Sequence, residues 1–199
     1  MPSGKYPVFP LKTICFPGHK LPLRIFEDRY VQMLDDLADH PQFVISLISH
    51  GEEVGGEATP FRVGTLVEFE SIDRQGDFHF IRPRGKRRVY LESFDRASRP
   101  YLMAACGEYA DEAPTPEAAA LLPQLEAGIL GMTLGLGPEE RKGIKEVLEE
   151  VRLTLDTENY SLFLCGCLDL PPIYLQRLLE SRSPAYRIQS ALNLLSQRP

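Results

Sequence analysis

Apolar positions change their spacing near residue 110. Before that point they come in short runs and alternations, each closed by glycine or proline. Prolines 7, 10, 17 and 22, with Gly18, cut the opening into brief extended pieces, because proline fixes its own backbone and restricts the residue before it. Phe26, Tyr30, Met33, Leu34 and Leu37 then recur at helical intervals, which predicts one amphipathic helix over 27–39 with Phe26 on its inner face. Glu27 and Asp28 fall in its first turn, where the helix dipole favours negative charge. The run QFVISLIS is too short for a helix and rich in β-branched residues, so it reads as a buried strand. GEEVGGEATP reads as a loop. From Phe61 to Phe94, Val63, Thr65, Val67 and Phe69 alternate with Leu66, Glu68 and Glu70, and glycines 76 and 85 supply turns or bulges. The stretch predicts a meander of three antiparallel strands, with YLMAACGEY as a further strand.

The segment ADEAPTPEAAA, residues 110–120, marks a linker or helix start, and helical periods follow it. Leu121, Leu122, Leu125, Ile129 and Leu130 form one stripe, with Pro123 placed near the helix start. Ile144, Val147, Leu148, Val151 and Leu155 form a second stripe, opened by Pro138. NYSLFLCGCLDL is apolar nearly all round, as a helix enclosed by others must be. Ile173, Leu175, Leu178 and Leu179 define a short helix. Ser183 and Pro184 then cap and open a last one, with Ile188, Ala191, Leu192 and Leu195 inward. The organisation is a β-rich part, 1–110, followed by a helical part, 111–199: an α+β chain.

Composition sharpens this picture in three places. The net charge of −6 falls almost wholly after residue 110, which argues against a broad phosphate-binding face, so nucleic acid is not the expected partner. No apolar run is read as reaching the roughly 20 residues of a membrane helix, and the N-terminus lacks a secretory signal pattern. A soluble cytoplasmic protein with no membrane partner is expected. Cys15, Cys106, Cys165 and Cys167 have neither disulfide nor zinc spacing, and His19, His40, His50 and His79 are scattered, so no metal and no cofactor are expected.

Catalytic motifs are likewise missing. There is no phosphate-cradling G-x-x-x-x-G-K-[ST], no G-x-S-x-G elbow and no H-E-x-x-H pair, and the glycines 131–137 read as a helix end. Adjacent acids such as Asp35-Asp36 point different ways and read as solvated. No catalytic residue is assigned. The densest cationic run, RPRGKRR, offers Arg82, Arg84 and Arg88 as partner contacts, for a phosphate or an acidic peptide. A solvated hairpin that blunts a sheet edge explains the same charges. In LPLRIFEDRY, Leu23 and Ile25 alternate inward and Glu27-Asp28 start the helix. Arg24 and Arg29 are placed to pair with Glu27 or to cap carbonyls, so the cluster is a strand handing over to a helix.

These residues also carry a resemblance. VFPLKTICFPGHKLPLRIFEDRYVQMLDDL, 8–37, resembles the signature that opens the N-terminal, substrate-binding domain of Lon proteases. VGTLVEF, 63–69, GKRRVYL, 85–91, and LDLPPIYLQRLLESRSPAYRIQSALNLL, 168–195, follow in family order. The resemblance implies a PUA-like β pseudo-barrel followed by a C-terminal helical subdomain. It further implies a stand-alone unit that lacks the ATPase and Ser-Lys protease domains of Lon and performs no chemistry. Such a unit would bind unfolded, tagged or extended protein segments, in a groove between barrel and helices or by pairing with a sheet edge, and would act with a separate protease or regulate one. The alternative is an RNA-binding module that uses the basic strand 82–88.

Overall fold

In the computed structural model, residues 4–113 and 115–197 are described, and they fall into two units that divide between Ala110 and Asp111. The first is built on β1 (Gly4–Leu11), β2 (Leu23–Ile25), α1 (Asp28–Asp36), β3 (Gln42–Gly51), β4 (Ala58–Pro60), β5 (Val63–Glu68), β6 (Asp73–Gln75), β7 (Phe78–Ile81), β8 (Arg84–Asp95) and β9 (Met103–Glu108).

β1 closes the architecture. Its first half, Gly4–Pro7, pairs antiparallel with β9, and its second half, Val8–Leu11, pairs parallel with β3. With β3–β5, β5–β8 and β8–β9 antiparallel, the strands form the ring β1-β9-β8-β5-β3, and β4 extends β3. Every strand of the ring gives residues to one apolar cluster: Val8, Val44, Leu66, Val89, Leu91, Ala104 and Cys106. Several of these are small, as a narrow closed barrel requires. The alternate residues Phe9, Phe43, Ile45 and Val67 pack with Tyr30, Met33 and Leu34 of α1 in a second cluster. Both faces of β3 and β5 are therefore covered, which is why Val63–Val67 is buried throughout rather than at every second residue.

The predicted three-strand meander resolves into four strands shared between two sheets. β5 pairs with β8, while β6 and β7 leave the ring as a hairpin and join β2 in a sheet ordered β2-β7-β6. Gly76, at φ 59°, holds the first central position of the Gly76-Asp77 turn, the glycine site of a type II′ hairpin. Gly85 serves another purpose. A Cβ there would lie 2.2 Å from the Phe16 carbonyl oxygen, so only glycine lets the 16–19 segment cross β8. The loop expected at 51–60 contains β4, and α1 stops at Asp36 instead of running to 39. Phe26 precedes α1 and is exposed, so its expected inward position is corrected.

The second unit contains α2 (Pro116–Met132) with a 3-10 turn (Thr133–Gly135), α3 (Pro138–Thr154), α4 (Thr157–Gly166), α5 (Pro172–Glu180) and α6 (Pro184–Ser196). Side chains of Thr115, Asp156 and Ser183 cap α2, α4 and α6 by accepting the N–H of Ala118, Asn159 and Tyr186. α4 is buried from Tyr160 to Cys165, as its all-round apolar sequence requires. Three expectations are corrected. α2 starts at Pro116, which puts Pro123 inside the helix. In α3 only Leu148 is buried, and Val147 is exposed. Residues 116–135 are also long and apolar enough, by length and composition, to cross a membrane. That helix packs against α6 and α4, and its Glu126 accepts the Tyr160 hydroxyl proton at 2.8 Å.

α6 carries an unexpected buried cation. Arg187 is fully covered and forms a bidentate pair with Asp111, whose side chain is 2% exposed. The same guanidinium donates to the Ser161 hydroxyl from Nε at 3.2 Å and to the Ser181 carbonyl at 2.8 Å, joining α4, the α5–α6 connection and the start of the unit.

Candidate functional site

The basic run does not form one cationic face. Arg82 and Arg84 are exposed, whereas Arg88 is 3% exposed with its guanidinium 5.3 Å from the Tyr109 ring centre. The cause is a register shift: Leu66 pairs with Arg87 but Val67 pairs with Gly85, so Lys86 is an extra residue in β8. One inserted residue turns Arg84 and Arg88 to opposite faces. Lys86 is held by Glu68 at 2.7 Å, and the carboxyl of Glu68 lies below its ordinary range because of that hydrogen bond and one from Gln42.

A more continuous surface lies on the small sheet. In the register of β2, β7 and β6, Arg24, Phe80 and Asp73 form one row across the sheet, and Phe78 lies opposite Gln75. Phe26 extends the second row, its ring 6.3 Å from that of Phe78 in an edge-on arrangement. The Arg24 guanidinium sits 5.7 Å from the Phe26 ring centre and 5.1 Å from that of Phe78, and so braces both rings. Phe26 and Phe78 are each 42% exposed and Phe80 is 36% exposed. A shallow hollow of about 620 Å³ is lined by part of this face, Arg24, Asp73, Gln75 and Phe80, together with Arg82.

Three residues of β7 reverse the polarity of a normal half-buried strand, while Ile81 keeps it. Its phenylalanines face out and His79 faces in. Arg74 explains the burial of His79: its Nη1 lies 2.8 Å from His79 Nε2, which must then accept, and its Nη2 donates to Asp35 at 2.7 Å. The hairpin is thereby tied to α1.

Beside β2 lies a second recess, a cleft of about 270 Å³ floored by Phe9, Leu11, Ile25 and Tyr30 and overhung by Val54. Glu27 and Arg29 hold the overhang in place. The Glu27 carboxylate pairs with Arg29 at 2.9 Å and accepts the Gly55 N–H at 3.2 Å, and Arg29 Nη1 donates to the Gly56 carbonyl at 3.0 Å. Arg29 thus takes the expected role, whereas Arg24 stacks on rings instead of pairing with Glu27. Burial pushes the Tyr30 hydroxyl up to about 12, as befits an apolar floor.

A family model for the substrate-binding domain of ATP-dependent protease La (LON) matches residues 5–197. The chain belongs to this LON family. Its fold is that of a Lon N-terminal domain protein from Xanthomonas campestris, at 24% identity and a TM-score of 0.65 over 98% of this chain and 99% of that one. The N-terminal domain of the Mycobacterium avium complex Lon protease superposes at a TM-score of 0.74 with 19% identity, over 98% and 100% of the two chains. No curated protein sequence matches the chain.

The LON domain occupies nearly all of these 199 residues, and no ATPase or protease domain lies within them. Burial favours the protonated form of three of its thiols. Burial pushes Cys15 and Cys106 up to about 12 and Cys167 to about 11. Among the described residues of the LON domain no group of three His, Cys, Asp or Glu side chains is placed to hold a metal. The aromatic face was missed in the sequence, although a signal was present: DFHFI puts phenylalanine on both sides of a histidine in a strand alternation.

Proposed function

We propose that this LON domain is a non-catalytic module that holds unfolded or extended protein segments against the small sheet, and that it presents them to a separate protease or regulates one. The observation that carries the reading is the exposed face of Phe26, Phe78 and Phe80 braced by Arg24. Family membership in a substrate-binding domain supports it. Four free cysteines suit a reducing compartment such as the cytoplasm.

The magnitude fits transient binding. A phenylalanine presents about 200 Å² of surface, so some 40% exposure leaves about 80 Å² per ring, or about 2 kcal/mol at 25 cal/mol per Å². Three rings give about 6 kcal/mol before association costs, so any affinity tighter than millimolar needs further contacts. The RNA alternative has no continuous cationic stripe to use, since Arg88 is buried and Lys86 is engaged.

The test is fluorescence anisotropy with a labelled, permanently unfolded client such as reduced, carboxymethylated α-lactalbumin. The double variant Phe78→Ser/Phe80→Ser should bind at least tenfold more weakly with its melting temperature retained. Unchanged affinity would remove the aromatic face from the function.

A further inference from the structure

How a segment would be held, given the proposed function, turns on the edge of β2. Among the described residues β2 pairs as a strand with β7 alone, on one side. The Leu21 N–H donates to the Pro83 carbonyl at 3.0 Å, in the register that continues as 23 with 81 and 25 with 79. In an antiparallel ladder bonded pairs alternate, so these odd residues bond to β7 and the even ones between them point the other way. The carbonyl of Pro22 and both the N–H and the carbonyl of Arg24 are therefore directed to the open side.

That open side meets the cleft floored by Phe9, Leu11, Ile25 and Tyr30. At about 270 Å³ it lies below the roughly 300–1,000 Å³ of small-molecule pockets, which makes it a notch for one side chain. Polar backbone edge and apolar notch lie side by side, the two halves of a strand-addition site.

We infer that client segments add to β2 as a further strand, placing one apolar side chain in the cleft and the flanking ones over Phe26 and Phe78. Alternate residues of an added strand point to opposite faces. Here both faces offer apolar surface: the cleft floor of Phe9, Leu11, Ile25 and Tyr30 on one, Phe78 and Phe80 on the other, while Phe26 lines the cleft and also stands against Phe78. The occupant is consequently a run of consecutive apolar residues in extended form. In a folded protein such a run is a strand covered on both sides, and it becomes available only when its protein unfolds. An amphipathic helix cannot supply the backbone bonds, so the site discriminates by client conformation as well as by polarity.

Proline at position 24 separates this mechanism from simple apolar adhesion. It removes the outward N–H while leaving the bonds that residues 23 and 25 make to β7, and it keeps Leu23 in the extended region that β2 requires. Arg24→Ala is the control, because it removes the guanidinium and keeps the N–H. The probe is a fluorescein-labelled peptide with Val-Ile-Val-Leu-Val between Ser and Lys flanks, measured by anisotropy against both variants. Arg24→Pro should bind at least tenfold more weakly than Arg24→Ala. The same peptide N-methylated at single backbone positions should lose at least tenfold affinity for the unaltered protein at alternate residues only. These methylated peptides decide the matter if Arg24→Pro melts abnormally. Equal binding by the two Arg24 variants, or losses without a two-residue period, would overturn strand addition. Failure of the two readings is distinguishable. Binding that falls in Phe78→Ser/Phe80→Ser without the period leaves the binding module and removes only the edge mechanism, whereas binding indifferent to all these changes removes both.

Discussion

Replacing Arg187 by Met tests the buried ion pair at the heart of the helical unit. Methionine keeps most of the side-chain volume but leaves the Asp111 carboxylate, 2% exposed, without its bidentate partner. It also strips the Ser161 hydroxyl and the Ser181 carbonyl of their N–H donors. Breaking a buried pair from one side costs about 3–5 kcal/mol, because a desolvated charge is left behind. For a unit in the 60–100 residue class, each kcal/mol moves the midpoint by roughly 4–8 °C, so a fall of at least about 12 °C is expected. Urea unfolding followed by helical circular dichroism reads the loss directly. Asp111→Asn and the Asp111→Asn/Arg187→Met double variant complete the cycle. The double variant should be more stable than the sum of the single losses by about 1 kcal/mol or more, since it carries no orphaned ion. A cost below about 1 kcal/mol for Arg187→Met, or strict additivity, would show that the pair organises nothing.

Two further outcomes follow from the barrel. Glu68 owes its lowered pKa first to Lys86 and then to Gln42, so its carboxyl should titrate below the ordinary glutamate range in a ¹³C NMR experiment and move up in Lys86→Met. Because the folded-state value is depressed, its contribution to stability is present at neutral pH and is lost as pH falls through that value; an unmoved midpoint in the variant would contradict this. Gly85→Ala would place a methyl group 2.2 Å from the Phe16 carbonyl oxygen, against backbone that cannot swing aside. It should lower stability by about 1–3 kcal/mol or more, measured by calorimetry, and a neutral result would mean that the 16–19 crossing is not rigid.

The residue pattern shows the elements more clearly than their partners. Period-2 alternation locates the strands from Val63 onward because side-chain direction is a local property. It cannot show that β6 and β7 desert the ring for β2, since pairing is decided by distant residues. The parallel union of β1 and β3 is hidden for the same reason. Arg187 looks like the polar side of α6, and only the approach of Asp111, Ser161 and Ser181 makes it interior. The α3 stripe misleads in the other direction: Val147 has helical spacing and stays exposed because little of this helix is covered by the rest of its unit. At the candidate site, the run LPLRIFEDRY reveals the strand-to-helix passage and the Glu27–Arg29 pair. The outward phenylalanines stay hidden because alternation does not say which face is covered, and in β7 it is His79, held by Arg74, that turns in beside Ile81.

The dual pairing of β1 also sets the order in which the ring can be completed. Its first half waits for β9, whose residues 103–106 are nearly the last of the first unit to be synthesised. Chains emerge at roughly 5–20 residues per second, so β3, β5 and β8 exist for about 0.5–2 s as a sheet without closure. During that interval the bare edges of an incomplete barrel are open to strand pairing with another chain. A nascent LON domain thus briefly bares strand edges that the finished ring hides.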